Sequence, residues 1–99
     1  MIKNKITIGI PVYNEENNIG RLLKQVIKQT RVFDVQIIVV SSGSTDRTNE
    51  MVRSFNGVRL IIEKERKGKV SALEKIFKAA EGEIIIMTDG DIVLTVYPI

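Results

Sequence analysis

Apolar segments of strand length alternate with segments of helical periodicity along this chain, and this alternation limits the folds open to it. Strand-like segments rich in isoleucine and valine occupy residues 6–12, 35–40, 58–63 and 83–88. The stretches between them repeat apolar residues at helical spacing, at residues 19–27, 51–55 and 73–80. Strands separated by helices are typical of βαβ crossover units and of a largely parallel sheet.

The same pattern predicts an α/β fold, a three-layer sandwich in which helices cover both faces of a mostly parallel, four-stranded, Rossmann-like sheet. Near-continuous apolar strands are typical of a sheet that is buried on both faces. Within residues 58–63 polar side chains interrupt the apolar ones more often than in the other strands, so we place this strand near an edge of the sheet. At 99 residues the chain is long enough for one hydrophobic core, and we expect residues 1–99 to form one domain.

The composition narrows the chemistry that such a domain can carry. The chain contains no cysteine and no histidine, so a disulfide framework and a zinc site of the Cys/His type are both excluded. A bound metal would be a hard cation held by oxygen atoms. The net charge of +3 is too small and too scattered to indicate nucleic-acid binding. No segment resembles a signal peptide or is apolar for long enough to span a bilayer, so we expect a cytoplasmic protein without a membrane segment.

Polar residues follow all four predicted strands. The sequences YNEEN, SSGSTD, KERKGK and DGD stand at the carboxyl ends of the strands. Ligands of open parallel sheets bind in the crevice outside these ends, so we expect the four loops to face one site. The first loop lacks the G-x-G-x-x-G of dinucleotide-binding oxidoreductases, and no aspartate is placed as the phospho-acceptor of a receiver domain.

The last of these loops contains Asp89, Gly90 and Asp91. In extended backbone, side chains two residues apart point to the same side, so the two carboxylates can share one cation. Gly90 leaves room for a ligand to approach the main chain. Mg²⁺ or Mn²⁺ bound by two carboxylates completes its shell with water and phosphate oxygens. A turn is the alternative, and on the tripeptide alone it is the preferred interpretation, because Asp and Gly both favour turns.

The other three loops carry residues that suit ligand binding as well as helix capping. Tyr13 offers a flat face for a nucleobase, whereas Asn14 is predicted chiefly as the N-cap of the first helix. Ser44 or Thr45 would cap the second helix, or backbone amides there would hold an anion. Cations at the start of the third helix oppose its dipole, and either a bound phosphate or plain solvation would accommodate them. These cations are Lys64, Arg66, Lys67 and Lys69.

Taken in order, three blocks of the sequence resemble the N-terminal half of a family-2 glycosyltransferase with the GT-A fold. The blocks read IPVYNEENNIGRLLKQV, IIVVSSGSTDRT and RKGKVSALEKIFKAAEGEIIIMTDGD, and their order and separations are similar to those of the family. The resemblance covers the chain from Ile6 to about Leu94. It favours a metal-binding D-x-D motif at Asp89–Asp91 over a chance turn.

The resemblance implies a nucleotide-diphospho-sugar donor and a divalent cation, Mg²⁺ or Mn²⁺, bound across the strand ends. It implies contacts to this donor from residues in all four loops, namely Pro11, Tyr13, Glu15, Ser41, Ser42, Lys69, Asp89, Gly90 and Asp91. Within this set, Asp89 and Asp91 would hold the metal. In the complete enzyme a base would deprotonate the acceptor hydroxyl for an inverting transfer, and we assign no catalytic residue to residues 1–99.

The chain departs from the family pattern at two points. Ser41 and Ser42 stand where the family commonly has two acidic residues, one of which contacts the base, so the base preference is not carried over. The chain also stops soon after the D-x-D motif, so we expect a truncated domain without the acceptor-binding half. The alternative function is a nonenzymatic interaction module or inactive fragment that self-associates as a homo-oligomer through the exposed surface.

Overall fold

The computed structural model describes residues 5–82, 84–88 and 94–98, and it contains one five-stranded sheet with three helices. In chain order the elements are β1 (Ile6–Val12), α1 (Ile19–Thr30), β2 (Val35–Ser42), α2 (Thr48–Arg53), β3 (Val58–Glu63), α3 (Lys69–Ala79), β4 (Ile84–Thr88) and β5 (Leu94–Pro98). The predicted order of strands and helices is confirmed. Asp89, Gly90 and Asp91 lie outside the described residues.

The strands are arranged in the order β3-β2-β1-β4-β5. The first four pair in parallel, as predicted, and β3 lies at an edge of the sheet. The structure adds a fifth strand that sequence analysis did not predict, because β5 pairs antiparallel with β4 at the other edge. Its last residue, Pro98, has no N–H to donate, a feature that sheets accept in an edge strand.

The two faces of the sheet carry separate hydrophobic clusters, so the three-layer sandwich is confirmed. On one face, side chains such as Ile10 and Val39 pack against α1 and α2. On the other face, side chains such as Ile38 and Met87 pack against α3. Because successive side chains of a strand point to opposite faces, each central strand contributes to the interior on both sides.

Helix α3 lies unusually close to β1, because the strand has a glycine beneath it. A Cβ atom at Gly9 would lie 2.6 Å from Cγ2 of Ile76 and 2.9 Å from the sulfur of Met87. Ile76 is fully buried in the cluster under α3. Gly9 therefore fixes the height of α3 above the sheet, and through it the position of the first turn of that helix.

Candidate functional site

A cleft of about 300 Å³ opens at the carboxyl ends of β1 and β2, beside the start of α3. Strand β1 and its loop, the end of β2, the loop after β3 and the first turns of α3 all contribute to its walls. The lining residues are Pro11, Val12, Tyr13, Glu15, Ser42, Arg66, Gly68, Lys69 and Ala72. The cleft thus lies where ligands bind in open parallel sheets, outside the carboxyl ends of the strands.

Most of the predicted donor-contacting residues that the structure describes line this cleft. Five of these six do so, namely Pro11, Tyr13, Glu15, Ser42 and Lys69. The predictions for Asp89, Gly90 and Asp91 lie outside the described residues. The described part of the site therefore comes from the first three loops and the start of α3.

Ser41, the sixth of these residues, is not among the described residues that line the cleft. Its side chain is fully buried, and its hydroxyl donates to Oγ of Ser44 over 2.7 Å. Ser41 and Ser42 point to opposite faces of the sheet because they are consecutive residues of β2. Only Ser42 faces the side on which the cleft lies, and Ser41 supports the loop after β2 instead.

Arg66 covers the aromatic ring that sequence analysis selected for a nucleobase. The carbon of its guanidinium lies 3.9 Å from the centroid of the Tyr13 ring, a cation–π contact. Tyr13 remains 38% exposed. In the sequence Arg66 is only one cation of a basic loop, whereas in the structure it joins the loops after β1 and β3.

The first turn of α3 borders the cleft and carries positive character. Gly68 precedes the helix, and no side-chain hydrogen bond caps it. Uncapped amides at the start of a helix, together with the helix dipole, favour an anion. Lys69 and Arg66 add two cationic side chains to the same wall, whereas Glu15 is acidic. The wall at α3 therefore suits the negatively charged part of a ligand.

Asn14 fastens the loop after β1 to the loop after β2. Its Oδ1 accepts a hydrogen bond from the backbone N–H of Thr45 over 2.7 Å and a longer one from that of Asp46 over 3.4 Å. Its own N–H donates to Oγ of Ser44. The predicted role as N-cap of the first helix is wrong, because α1 begins only at Ile19 and Asn14 adopts a φ of +49°.

Asp46 supports the same pair of loops. It accepts hydrogen bonds from the backbone N–H groups of Thr48 and Glu16, and the hydroxyl of Thr48 in turn accepts one from the N–H of Glu15. Burial raises the pKa of the Asp46 carboxyl, but a hydrogen bond from the Thr48 hydroxyl and those from the two backbone N–H groups outweigh burial and hold the pKa below its ordinary value. The predicted N-caps of the second helix, Ser44 and Thr45, are wrong, because α2 begins at Thr48 and Asp46 bonds its first turn.

An ion pair lies next to the cleft, at the end of β3, and it joins the buried carboxylate of Glu63 to a Lys75 side chain that is 37% exposed. Oε2 of Glu63 accepts hydrogen bonds from Nζ of Lys75, over 2.6 Å, and from the hydroxyl of Ser71. Burial raises the pKa of the Glu63 carboxyl, but the hydrogen bonds from Lys75 and Ser71 outweigh it and hold the pKa below its ordinary value. No sequence pattern predicts this pair, because its members lie on two different elements, twelve residues apart.

The loops after β2 and β3 touch through Gly43. Its φ is +70°, and a Cβ atom there would lie 2.4 Å from the backbone nitrogen of Arg66. Its N–H donates to the carbonyl of Glu63. Only glycine fits this position without moving the backbone that carries Arg66.

Within residues 5–82, 84–88 and 94–98, no group of three acidic, histidine or cysteine side chains is placed to hold a metal ion. In the same described part of the chain, no helix has the length and apolar character needed to cross a membrane.

Comparison with protein families gives a match to the model described as Glycosyl transferase family 2, over residues 7–96. The chain is 33% identical over 96 residues to the undecaprenyl-phosphate 4-deoxy-4-formamido-L-arabinose transferase of Proteus mirabilis, covering 90% of this chain and 29% of that protein. It is 31% identical over 91 residues to the dolichol-phosphate mannosyltransferase of Pyrococcus furiosus, covering 89% of this chain and 26% of that protein. The chain thus spans less than a third of the length of these curated relatives.

Two solved structures show the same fold with ligands. A mannosyltransferase from Pyrobaculum calidifontis, in complex with GDP-Man and Mn²⁺, superposes with a TM-score of 0.82 at 34% identity, over 91% of this chain and 28% of that one. The glucosyl-3-phosphoglycerate synthase of Mycobacterium tuberculosis, in complex with Mn²⁺, UDP and glucosyl-3-phosphoglycerate, gives 0.74 at 28% identity, over 88% and 33% of the two chains.

Proposed function

Because the chain belongs to glycosyl transferase family 2, we propose that its cleft binds the nucleotide part of a nucleotide-diphospho-sugar, the donor of a sugar-transfer reaction. The observation that carries this proposal is the convergence of Tyr13, Ser42 and Lys69 on one cleft from three separate parts of the chain. The complexes of structural neighbours with GDP-Man and with UDP support it.

The nucleobase is assigned to the wall formed by Tyr13. The ring already holds a flat cationic group, the guanidinium of Arg66, at stacking distance. A base is also flat and polarisable, so it takes the place of the guanidinium or stacks beside it. Ser42 then lies deep in the cleft, where it faces an edge of the base.

The diphosphate is assigned to the side of the cleft where α3 begins. The uncapped first turn of the helix and the side chain of Lys69 both attract an anion. The D-x-D residues Asp89 and Asp91 would hold Mg²⁺ or Mn²⁺ beside it, since two carboxylates in a chain without cysteine or histidine suit a hard cation. Such a cation would supply charge that stabilises the departing diphosphate.

The full reaction is proposed as an inverting transfer, in which a base removes the proton of the acceptor hydroxyl as that hydroxyl attacks the anomeric carbon. We assign no such base to residues 1–99. The curated relatives are more than three times as long as the segment they share with this chain. We therefore expect the 99-residue chain alone to bind donor and to transfer sugar poorly.

Isothermal titration calorimetry of the 99-residue chain with UDP, GDP and their sugar conjugates, each with and without Mn²⁺, tests the proposal. Tyr13→Ala should weaken binding by about tenfold, the loss expected for one stacking contact of a base. Asp91→Ala should remove the dependence on Mn²⁺. Phe33→Ala is the matched control, because this aromatic residue is 57% exposed and lies just before β2, at the opposite end of the strands.

Binding that is weakened in Tyr13→Ala and unchanged in Phe33→Ala supports the assignment of the cleft. A folded chain that binds no nucleotide with Mn²⁺ present would overturn it. A sample that self-associates and binds neither metal nor nucleotide would favour the alternative, a nonenzymatic interaction module.

A further inference from the structure

Beside Ser42, on the neighbouring strand, lies a buried carboxylate to which the proposed donor contacts give no role. The parallel register pairs Ser42 of β2 directly with Glu63 of β3, so the two side chains lie on the same face of the sheet. Glu63 is 4% exposed and is not among the residues that line the cleft. Ser42 therefore separates this carboxylate from the cleft.

The two oxygens of this carboxylate have different surroundings. Oε2 accepts hydrogen bonds from Lys75 and Ser71. Oε1 is buried and has no hydrogen-bond partner in the described part of the chain. A buried carboxylate oxygen without a donor is costly, so Oε1 is available to accept a hydrogen bond from a neighbouring group.

The hydroxyl of Ser42, which the strand register places beside Glu63, is the candidate for that donor. A serine hydroxyl has one proton and two lone pairs, and one lone pair of Ser42 already accepts the N–H of Lys67 over 2.9 Å. The hydroxyl contributes to the lowered pKa of Glu63, although it does not complete a hydrogen bond to Oε1. A small rotation of either side chain would bring the Ser42 hydroxyl into hydrogen-bond geometry with Oε1, and only the second lone pair of Ser42 would then be left for a ligand in the cleft.

We propose that Glu63 fixes the Ser42 hydroxyl as a hydrogen-bond acceptor toward the cleft, and that Ser42 thereby selects donor nucleotides whose base carries a ring N–H. This inference rests on the proposed donor site and adds its base selectivity. Uracil and guanine have a ring N–H at their pairing edge, whereas adenine and cytosine do not. Glu63 is a positioning residue, because it acts on the base only through Ser42.

Replacing Glu63 by glutamine keeps the shape of the side chain but reverses the direction of its hydrogen bond with Ser42. Lys75 and Ser71 both donate to the Oε2 position, so the amide oxygen of glutamine must take that place. The NH₂ group then occupies the Oε1 position and donates to Ser42. The Ser42 proton turns to the cleft, where it meets the ring N–H of the base as donor against donor.

The test measures the affinity of the 99-residue chain for UDP and GDP, and for their analogues methylated at the ring nitrogen (N3-methyl-UDP and N1-methyl-GDP), by calorimetry with Mn²⁺. The wild-type chain should bind at least one parent nucleotide about tenfold more tightly than its methylated analogue, the equivalent of one hydrogen bond. Glu63→Gln should bring that ratio close to one. The double variant Ser42→Asp/Glu63→Gln, which moves the carboxylate to the cleft itself, should restore it.

Ser71→Ala is the matched control, because it removes a hydrogen bond to Oε2 and leaves Oε1 unchanged, so its ratio should stay at the wild-type value. A wild-type ratio in Glu63→Gln overturns the inference, as does equal binding of parent and methylated nucleotides by the wild-type chain. Neither result affects the proposed function.

Failure of the wild-type chain to bind UDP or GDP overturns both proposals. If circular dichroism shows Glu63→Gln to be unfolded, Ser42→Ala decides, because an unchanged ratio there contradicts a role for the hydroxyl.

Discussion

The hydrogen bonds of Asn14 between the first two loops allow the stability lost on its substitution to be predicted. This residue combines a positive φ of +49° with a side-chain oxygen that accepts the N–H groups of Thr45 and Asp46. Alanine at this position loses the hydrogen bonds, which contribute about 1 kcal/mol together because only the 2.7 Å bond is short and the site is exposed. Alanine also adopts the left-handed conformation at a cost of about 1 kcal/mol.

We therefore expect Asn14→Ala to lower the free energy of unfolding by about 2 kcal/mol, and Asn14→Gly by about 1 kcal/mol, since glycine loses the hydrogen bonds but tolerates a positive φ. Asn14→Asp keeps both the acceptor and the tolerance of positive φ, and should stay near the wild type. In a domain of 99 residues, about 2 kcal/mol lowers the Tm by roughly 10 °C.

Urea denaturation followed by circular dichroism measures all three variants. Equal losses in Asn14→Ala and Asn14→Gly would refute the contribution assigned to the backbone conformation. A glycine variant as stable as the wild type would refute the contribution assigned to the hydrogen bonds. Because Tyr13 and Glu15 flank this residue and line the cleft, Asn14→Ala should also weaken nucleotide binding in proportion to the loosening of the loop.

Two further predictions concern stability. Gly43→Ala should lower the free energy of unfolding by more than about 2 kcal/mol, because its Cβ would lie 2.4 Å from a backbone atom and the residue has a positive φ. Gly57→Ala should lower it by only about 1 kcal/mol, because Gly57 has a φ of +81° but a Cβ there would meet no atom within 4 Å apart from its chain neighbours; chemical denaturation of both variants measures the difference. Because the pKa of Glu63 is lowered in the folded chain, its ionised form stabilises the fold at pH values above 4.5, the ordinary pKa of a glutamate. This stabilisation is lost as the pH falls through the folded-state pKa. Unfolding free energy measured from pH 7 to pH 3 should therefore fall less steeply for Glu63→Gln, and a slope identical to that of the wild type would contradict the role of this carboxyl.

The parallel part of the fold could be predicted because it depends on local patterns. Apolar runs bounded by polar loops located all four parallel strands, and helical spacing located the three helices that cover them. Strand β5 was missed because its place depends on pairing with β4, which no local pattern encodes. Its terminal proline also makes the segment read less clearly as a strand.

The candidate site was predicted in part, for a related reason. Residues at strand ends, such as Tyr13 and Ser42, could be placed because the carboxyl ends of parallel strands meet at one edge. The predicted role of Asn14 was wrong, because a residue that bonds a loop 31 residues away looks like a helix cap in the sequence. Arg66 and the Glu63–Lys75 pair depend on tertiary contacts, and neither spacing nor residue type reveals them.

Because Gly9 has no side chain, Ile76 packs directly on β1, and this contact fixes how far α3 stands from the sheet and thereby the width of the cleft. A methyl group there would stand about 1 Å inside the normal contact distance of Ile76. Isoleucine is stiff at its branch point within a helix, so the displacement would pass to the helix as a whole. Helix α3 would rise from the sheet and carry Lys69 with it, two turns away. A single methyl group, out of reach of any ligand, would thus widen the opening that a nucleotide must fill.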